Sequence, residues 1–195
     1  MNAQGKRSGE TAREYAYRMI REQVISLELK PGEAFNDMEF AAKIGVSRTP
    51  VREAVIQLSE ESRIIEIFPQ RGMRIAPIDV ELVEEARSLR VLLEKQIAGM
   101  CCEMATEEDI KWLQENVGLQ EFYMENSRPE MVMQLDDEMH HKLFMICHRE
   151  LTYGMCQKLA IHYDRIRSLS VNTVKDNTII EDHRKIIQFI AEHKK

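Results

Sequence analysis

The sequence predicts a mostly α-helical protein that contains one small β-hairpin within its first 78 residues. Apolar residues recur at helical spacing from residue 11 to about residue 61 and again beyond residue 79, whereas β-rich runs occur only between residues 64 and 78. Glycine and proline are few, eight and five in 195 residues, so neither long flexible linkers nor a repeat array is expected. We therefore predict two modules, one on either side of residues 78 and 79.

Composition excludes several classes of protein. Hydrophobic residues make up 44% and charged residues 31%, which is typical of a globular chain. No apolar run approaches the ~18 residues that a membrane span needs, and residues 1–30 lack the apolar core of a signal peptide. The four cysteines form no CxxC pair and are too sparse for a disulfide framework. We expect a cytoplasmic protein without a membrane partner.

The net charge of −6 is unevenly distributed along the chain. Residues 1–77 carry a balance of +1, and residues 78–195 carry −7. This difference favours two modules with different partners. Overall acidity argues against a protein that coats nucleic acid, but a local basic surface can still bind it.

The first module begins with three predicted helices. The first covers residues 11–28, with Leu27 on its apolar face, and the second covers Asp37–Ile44, with Met38 turned inward beside alanines. Gly45 lies where a left-handed turn residue follows a helix. The third helix is expected to begin at Ser47 as its N-cap, with Pro50 in the first turn, and to end near residue 61.

A predicted hairpin completes this module. Residues 64–68 and 73–78 are β-rich, and the turn 69–72 between them has the sequence Pro-Gln-Arg-Gly. A helix, a short turn with glycine, a second helix and then a two-stranded hairpin form the outline of a winged helix-turn-helix. We assign residues 11–78 to this DNA-binding fold.

The winged fold places particular side chains against DNA. The third helix would enter the major groove by its N-terminus, where arginine can bond guanine O6 and N7 together while hydroxyls and N–H groups hold phosphates. The hairpin tip would reach a minor groove. Singly, each arginine could equally be a solvated surface residue. The candidate DNA-contacting residues are Ser47, Arg48, Thr49, Arg52, Arg71 and Gly72.

The run IGVSRTPVREA at residues 44–54 resembles the signature of GntR-family bacterial transcription regulators. Residues 29–32 and 69–72 also lie where that family's winged domain places such sequences, so the resemblance covers roughly residues 12–78. One departure is Ser62-Arg63, where the family usually has Gly-Leu. This change affects a helix stop, and we expect the fold to persist.

The second module is predicted to be an all-helical bundle with a polar site in its core. On the helix Val80–Met104, Arg90 lies within the apolar stripe, and a guanidinium there needs a partner. The partner is either a carboxylate of the protein or the carboxylate of a bound ligand. On a helix over residues 130–150, Asp136 and His140 face inward at i and i+4, a spacing that suits a shared metal ion.

A further histidine lies on the inward stripe of the predicted helix Thr178–Ala191. His183 alone would be read as a hydrogen-bonded core residue, but an inward Asp–His pair on another helix favours a site. One carboxylate and two imidazoles form a ligand set that leaves coordination positions open on a divalent transition metal. Zinc or nickel is the metal that we expect first. His162 is a lesser fourth candidate beside a stripe formed by Leu159, Tyr163 and Ile166. Cys147 is expected to pack as a small apolar group.

This module resembles the FCD domain, the ligand-binding domain of the FadR subfamily of GntR regulators. Residues 90–94 match its R-x-x-L-E element, residues 136–140 its D-x-x-F/M-H element, and residues 182–184 its later histidine motif. The resemblance implies Asp136, His140 and His183 as metal ligands and Arg90 as the partner of an effector carboxylate. The family's fourth ligand is a histidine about 22 residues beyond the position of His183, so we expect that residues 79–195 lack the last helix.

We therefore predict a bacterial, ligand-responsive transcription regulator and not an enzyme. Its expected partners are double-stranded operator DNA, a small carboxylate effector and a second copy of the chain in a homodimer. One alternative is the same regulator with a metal-independent apolar or acyl effector. Another is a metal-dependent enzyme with a DNA-binding head, although no HExxH motif, phosphate loop or nucleophile elbow occurs.

Overall fold

The computed structural model describes residues 5–173 and 178–193. Within them the chain forms two compact units. The first comprises residues up to 84 together with 158–166, and the second comprises residues 85–157 and those from 167 onward. The mostly helical prediction is confirmed, and none of the described helices is long and apolar enough to span a bilayer. The assignment of functional domains to 11–78 and 79–195 stays a prediction.

The first unit contains the helices α1 (Ala12–Ile25), α2 (Asp37–Ile44) and α3 (Arg48–Ser62). Helix α1 begins with a capping box between Thr11 and Glu14, which satisfies N–H groups of its first turn. It ends three residues earlier than the periodicity predicts, because Leu27 takes a left-handed conformation with φ of 63°. Gly45 adopts the predicted left-handed turn, with φ of 74°.

The prediction for the inward face of α2 is wrong at one residue. Met38 is 60% exposed, whereas Phe40 is buried and packs on Phe35 with ring centroids 5.3 Å apart. Asp37 and Ala41 are buried with Phe40, so the inward face is centred one position away from Met38. A larger aromatic side chain buries more apolar area there than a methionine at the helix edge.

A three-stranded antiparallel sheet closes the first unit. The predicted hairpin forms from β2 (Ile65–Phe68) and β3 (Gly72–Ile75), and a short strand that the sequence did not reveal, β1 (Ala34–Phe35), pairs with the other edge of β3. A strand of two residues is too short to show an alternating pattern, so β1 has no signal in the sequence. The core below the sheet is apolar and includes Ile20, Val55, Leu58 and Ile75.

The second unit is built from helices only among its described residues. They are α4 (Val80–Met104), whose first turn belongs to the first unit, α5 (Glu107–Glu125), α6 (Pro129–Ile146), α7 (Glu150–Leu159), the second half of α8 (Ile161–Thr173), and α9 (Thr178–Ala191). Helix α6 ends at Ile146 rather than at residue 150, because His148 is left-handed with φ of 54°. The buried face of α6 runs from Val132 to Ile146 and includes Asp136.

The core of the second unit is a cluster of aliphatic, aromatic and cysteine side chains. Cys147 packs there, 1% exposed, with its sulfur 3.5 Å from that of Cys101, and the four cysteines are free thiols. Helices α5, α6 and α9 contribute most of the remaining residues, including Leu113, Phe144 and Ile187. On α9, Ile180 is buried whereas its neighbour Ile179 is only half-buried. These helices also position the polar side chains described below.

The buried face of the first turns of α8 differs from the one predicted for this segment. The predicted apolar stripe is wrong, since Leu159 is 52% and Ile166 38% exposed, while His162 and Arg165 are buried. The His162 ring accepts a hydrogen bond at Nδ1 from the Asp79 N–H at 3.3 Å and donates from Nε2 to the Ser62 carbonyl at 3.2 Å. Arg165 donates to the Ala76 carbonyl at 2.8 Å. His162 is therefore a structural residue of the first unit and no candidate metal ligand.

The buried His162 ring should make stability depend on pH. Burial lowers the pKa of His162, and the nearby Arg165 guanidinium lowers it further. As the pH falls below about 6.5, the unfolded chain takes up a proton that the folded ring resists, so the free energy of unfolding falls. His162→Gln should flatten this slope in urea unfolding measured between pH 7 and pH 5. The exposed His148→Gln is the control and should retain the wild-type slope; equal slopes in all three proteins would contradict the assignment.

Candidate DNA-contacting surface and candidate metal centre

The start of α3 presents the residues that the sequence singled out for DNA. Ser47 occupies the N-cap position in extended conformation, but its side chain makes no capping hydrogen bond. Ser47, Arg48, Thr49 and Arg52 are all exposed, and the last three line a shallow depression together with Glu53 and Ile56. The N-terminal N–H groups of a helix and its dipole favour anions such as phosphates. The predicted residues thus share one exposed surface.

Both arginines of this surface bond to the same carboxylate. Asp37, in the first turn of α2, accepts a hydrogen bond from Arg48 Nε at 3.0 Å and another from Arg52 Nη1 at 3.3 Å. The sequence analysis did not identify Asp37, because an acid in the first turn of a helix is explained by the helix dipole alone. Only the packing of α2 against α3 reveals this contact.

The hairpin tip carries the other two candidates. Arg71 is exposed, and its N–H donates to the Phe68 carbonyl at 3.0 Å to close the turn. Gly72 has φ of 102°, a conformation that a side chain disfavours, so the turn itself requires glycine there. Arg71 can therefore project from a tight and well-defined turn.

The three candidate metal ligands come together in the second unit. Asp136 and His140 lie on successive turns of α6, and His183 lies on α9. One donor atom from each falls within 4.8 Å of the other two. His183 Nε2 is 3.4 Å from Asp136 Oδ1, and His140 Nε2 is 3.8 Å from Asp136 Oδ2. Both imidazoles thus turn the same ring nitrogen toward one carboxylate.

The protonation of His183 follows from its second nitrogen. Its Nδ1 lies 3.0 Å from Gln120 Oε1, and an amide oxygen only accepts, so Nδ1 carries the hydrogen. Burial lowers the pKa of His183 to about 4, and the ring is therefore neutral near pH 7, with a lone pair on Nε2. That lone pair faces a carboxylate with no proton between them. An imidazole oriented by a partner on its far nitrogen is typical of a metal ligand.

His140 also has an uncommitted nitrogen. Its Nδ1 is buried and lies 3.1 Å from Glu94 Oε1, but the angle does not allow a hydrogen bond. The His140 and His183 rings meet edge to face, with centroids 5.5 Å apart. The Nε2 atom of His140 faces Asp136, so the site offers two imidazoles and one carboxylate, which are the donor types of a divalent transition-metal site.

Two arginines surround the Asp136 carboxylate. Arg167 on α8 bonds to Asp136 Oδ2 and, at 2.9 Å, to Asp137 Oδ1. Arg90 donates from Nε to Glu94 at 2.6 Å, and its Nη2 lies 3.9 Å from Asp136. Arg90 is thus inward, as predicted, and already paired with a carboxylate of the protein. Its role toward an effector stays a prediction.

These charges decide the ionisation of Asp136. Burial by itself would raise the pKa of this carboxyl, but the charge of the Arg167 guanidinium outweighs it, so its pKa lies below the usual range. Arg90 contributes in the same direction. Asp136 is therefore a carboxylate at neutral pH, which is the form that binds a metal.

The sequence reasoning missed three residues of this cluster. Glu94 had a signal, since it stands four residues after Arg90 in the R-x-x-L-E element. Gln120 and Arg167 had no such signal, because a polar residue on an amphipathic helix is normally assigned to its solvent-exposed face. Gln120 is fully buried and donates to Asn116 Oδ1 at 2.7 Å, which fixes its oxygen toward His183.

Two models of known protein families match different parts of the chain. A model of the bacterial regulatory proteins of the gntR family matches residues 12–75, and a model of the FCD domain matches residues 85–195. The chain is 30% identical over 158 residues to the HTH-type transcriptional repressor RspR of Escherichia coli K12, covering 81% of this chain and 69% of that protein. A transcriptional regulator from an unstable DNA locus of Streptomyces ambofaciens is also 30% identical, over 95% of this chain and 78% of its own.

Solved structures share the fold. The structure of E. coli McbR/YncC aligns with a TM-score of 0.76 at 18% identity, covering 94% of this chain and 87% of that chain. A GntR regulator from Rhodococcus sp. RHA1 aligns with a TM-score of 0.65, also at 18% identity, over 92% and 86% of the two chains. At such identities the likeness concerns the fold alone.

Proposed function

Because the chain belongs to the GntR family of bacterial regulatory proteins and carries an FCD domain, it is a ligand-responsive transcription regulator, and we propose how it binds its partners. Helix α3 and the hairpin tip read one half-site of operator DNA, and a two-fold homodimer reads a pseudo-palindrome. A small organic acid, held through a divalent metal, binds at Asp136, His140 and His183. Its binding shifts the population of DNA-reading conformations.

The observation that carries the metal proposal is the pair of imidazoles whose Nε2 atoms face one carboxylate. Asp136 and the Nε2 atoms of His140 and His183 would hold the ion, and Gln120 keeps the hydrogen of His183 on the opposite nitrogen. When bound, the metal supplies a Lewis acid to which an effector carboxylate can attach. The Nε2 atoms of His183 and His140 lie 3.4 Å and 3.8 Å from the two oxygens of the Asp136 carboxylate, close enough for one ion to be shared.

The charge balance of the cluster supports an anionic effector. Arg90 and Arg167 contribute two positive charges, and Glu94, Asp136 and Asp137 contribute three negative charges. Because the two arginines are already compensated, an additional anion gains little from them alone. A divalent cation leaves a surplus of positive charge, which a carboxylate would neutralise. This balance favours an organic acid over an apolar or acyl effector.

The DNA contact is tested at Arg52. Arg52→Ala should weaken binding about tenfold, because one bidentate arginine–guanine contact is lost. The measurement is fluorescence anisotropy with a labelled duplex that the wild-type chain has selected from a random pool, and saturation at two chains per duplex is expected. Arg13→Ala on the exposed face of α1 removes the same charge and should leave the affinity nearly unchanged. Unchanged affinity in Arg52→Ala would remove this residue from the interface.

The metal site is tested by elemental analysis. The chain, purified without an affinity tag and dialysed without chelator, should hold about one equivalent of zinc or nickel by inductively coupled plasma mass spectrometry. His183→Ala should lose it. His141→Ala should keep it, because His141 stacks on Tyr153, 4.5 Å away, on the other side of α6. Metal in both variants, or in neither variant nor the wild type, would contradict the site.

The effector contact is tested at Arg90. Hydroxy and keto acids such as malate and 2-oxoglutarate should raise the melting temperature of the metal-loaded chain, and chelator should abolish this shift. Arg90→Ala should lose the response to acid while its DNA affinity without acid stays the same. Arg87→Ala, exposed one turn earlier on α4, is the matched control. A response that survives in Arg90→Ala would make Arg90 only a member of a buried ion pair.

A further inference from the structure

A single buried carboxylate connects the two arginines that we assign to DNA reading. Asp37 is 2% exposed, and each of its oxygens accepts from a different guanidinium, Oδ1 from Arg48 and Oδ2 from Arg52. The arginines lie four residues apart on α3, so their side chains stand on the same face, one turn apart. The geometry points to Asp37 as a positioning residue that determines operator specificity by holding both arginines in register.

The chemistry of the guanidinium group supports this role. Its five N–H donors form a planar fork, and a carboxylate on one edge leaves donors on another edge free to bond guanine O6 and N7. Arg48 donates to Asp37 through Nε, and this bond does not use the end of the guanidinium fork that the two terminal nitrogens form. Both arginine side chains remain 57% exposed, so the bonded guanidinium groups still face solvent. The carboxylate therefore orients the arginines without covering them.

This arrangement differs from an ordinary ion pair on the surface. Exposed pairs hold two mobile side chains and contribute little. Here one partner is buried and fixed by the fold, at the first turn of α2 directly after the N-cap Asn36, whose side chain accepts from the N–H groups of Met38 and Glu39. The position of α2 against α3 therefore sets where the two guanidinium groups point. Preorganised side chains lose less entropy when they bind.

The expected consequence is a loss of discrimination rather than of attraction. Arg48 and Arg52 remain charged without Asp37, so they still attract phosphates, which supply binding that does not depend on sequence. Base edges require a defined orientation of the fork. Removing the Asp37 charge should thus weaken binding to a selected sequence and leave binding to unrelated DNA equal or slightly tighter.

The test compares two duplexes at one salt concentration. The first is selected from a random pool by the wild-type chain, and the second has the same base composition in scrambled order. For Asp37→Asn, the ratio of the two affinities measured by anisotropy should fall about tenfold, which is the effect of misplacing one bidentate contact. Asp37→Glu, which keeps the charge, should restore part of the ratio.

Glu39→Gln is the matched control, because it removes the same charge from an exposed position on the same helix. It should keep the wild-type ratio. An unchanged ratio in Asp37→Asn would overturn the inference, as would an equal loss of affinity for both duplexes with a lowered melting temperature, which indicates a purely structural role. The inference rests on the proposed DNA reading by α3. If the wild-type chain selects no sequence from the pool, that proposal fails, and this inference fails with it.

Discussion

The Asp136 carboxylate imposes the strongest constraint on the helical part of the molecule. A buried carboxylate is costly unless charges and hydrogen bonds compensate it. Here the compensation comes from Arg167 on α8, which bonds to the carboxylate, and from Arg90 on α4 nearby. The imidazoles of His140 on α6 and His183 on α9 face the same carboxylate. Gln120 on α5 then orients the His183 ring. The apolar stripes bring these helices together, but the buried carboxylate determines which polar side chains must pack around it.

The same rule organises the first unit on a smaller scale. Burying the His162 ring requires an acceptor and a donor, which the Ser62 carbonyl and the Asp79 N–H provide. Burying Asp37 requires two guanidinium groups, and these belong to the surface that we assign to DNA. Polar groups in this protein are thus buried where an element must be held in one orientation. A ligand that changes how the Asp136 charge is compensated would therefore shift the population of conformations of the helices around it.

Much of the fold followed from local patterns. Helical spacing predicted α2, α4 and α9 with the observed bounds, because amphipathic periodicity reports which face of a helix is inward. It failed at α6, where the left-handed His148 ends the helix, and at α8, where His162 and Arg165 are buried and Ile166 is exposed. The pattern assumes that inward residues are apolar. A segment that buries His162 and Arg165 breaks that assumption, so its inward face could not be predicted from periodicity.

The sequence by itself determined the family, the winged head, the helical bundle and the inward placement of Asp136, His140 and His183. These depend on local spacing and on motifs, which are properties of one element at a time. Only the tertiary structure decided the partners: Arg167 and Gln120 at the candidate metal centre, and Asp37 beneath Arg48 and Arg52. Periodicity predicts which side chains of a helix face the core, but not which residues of other helices they contact. That depends on the register of one helix against another, which is set by packing across residues far apart in the chain.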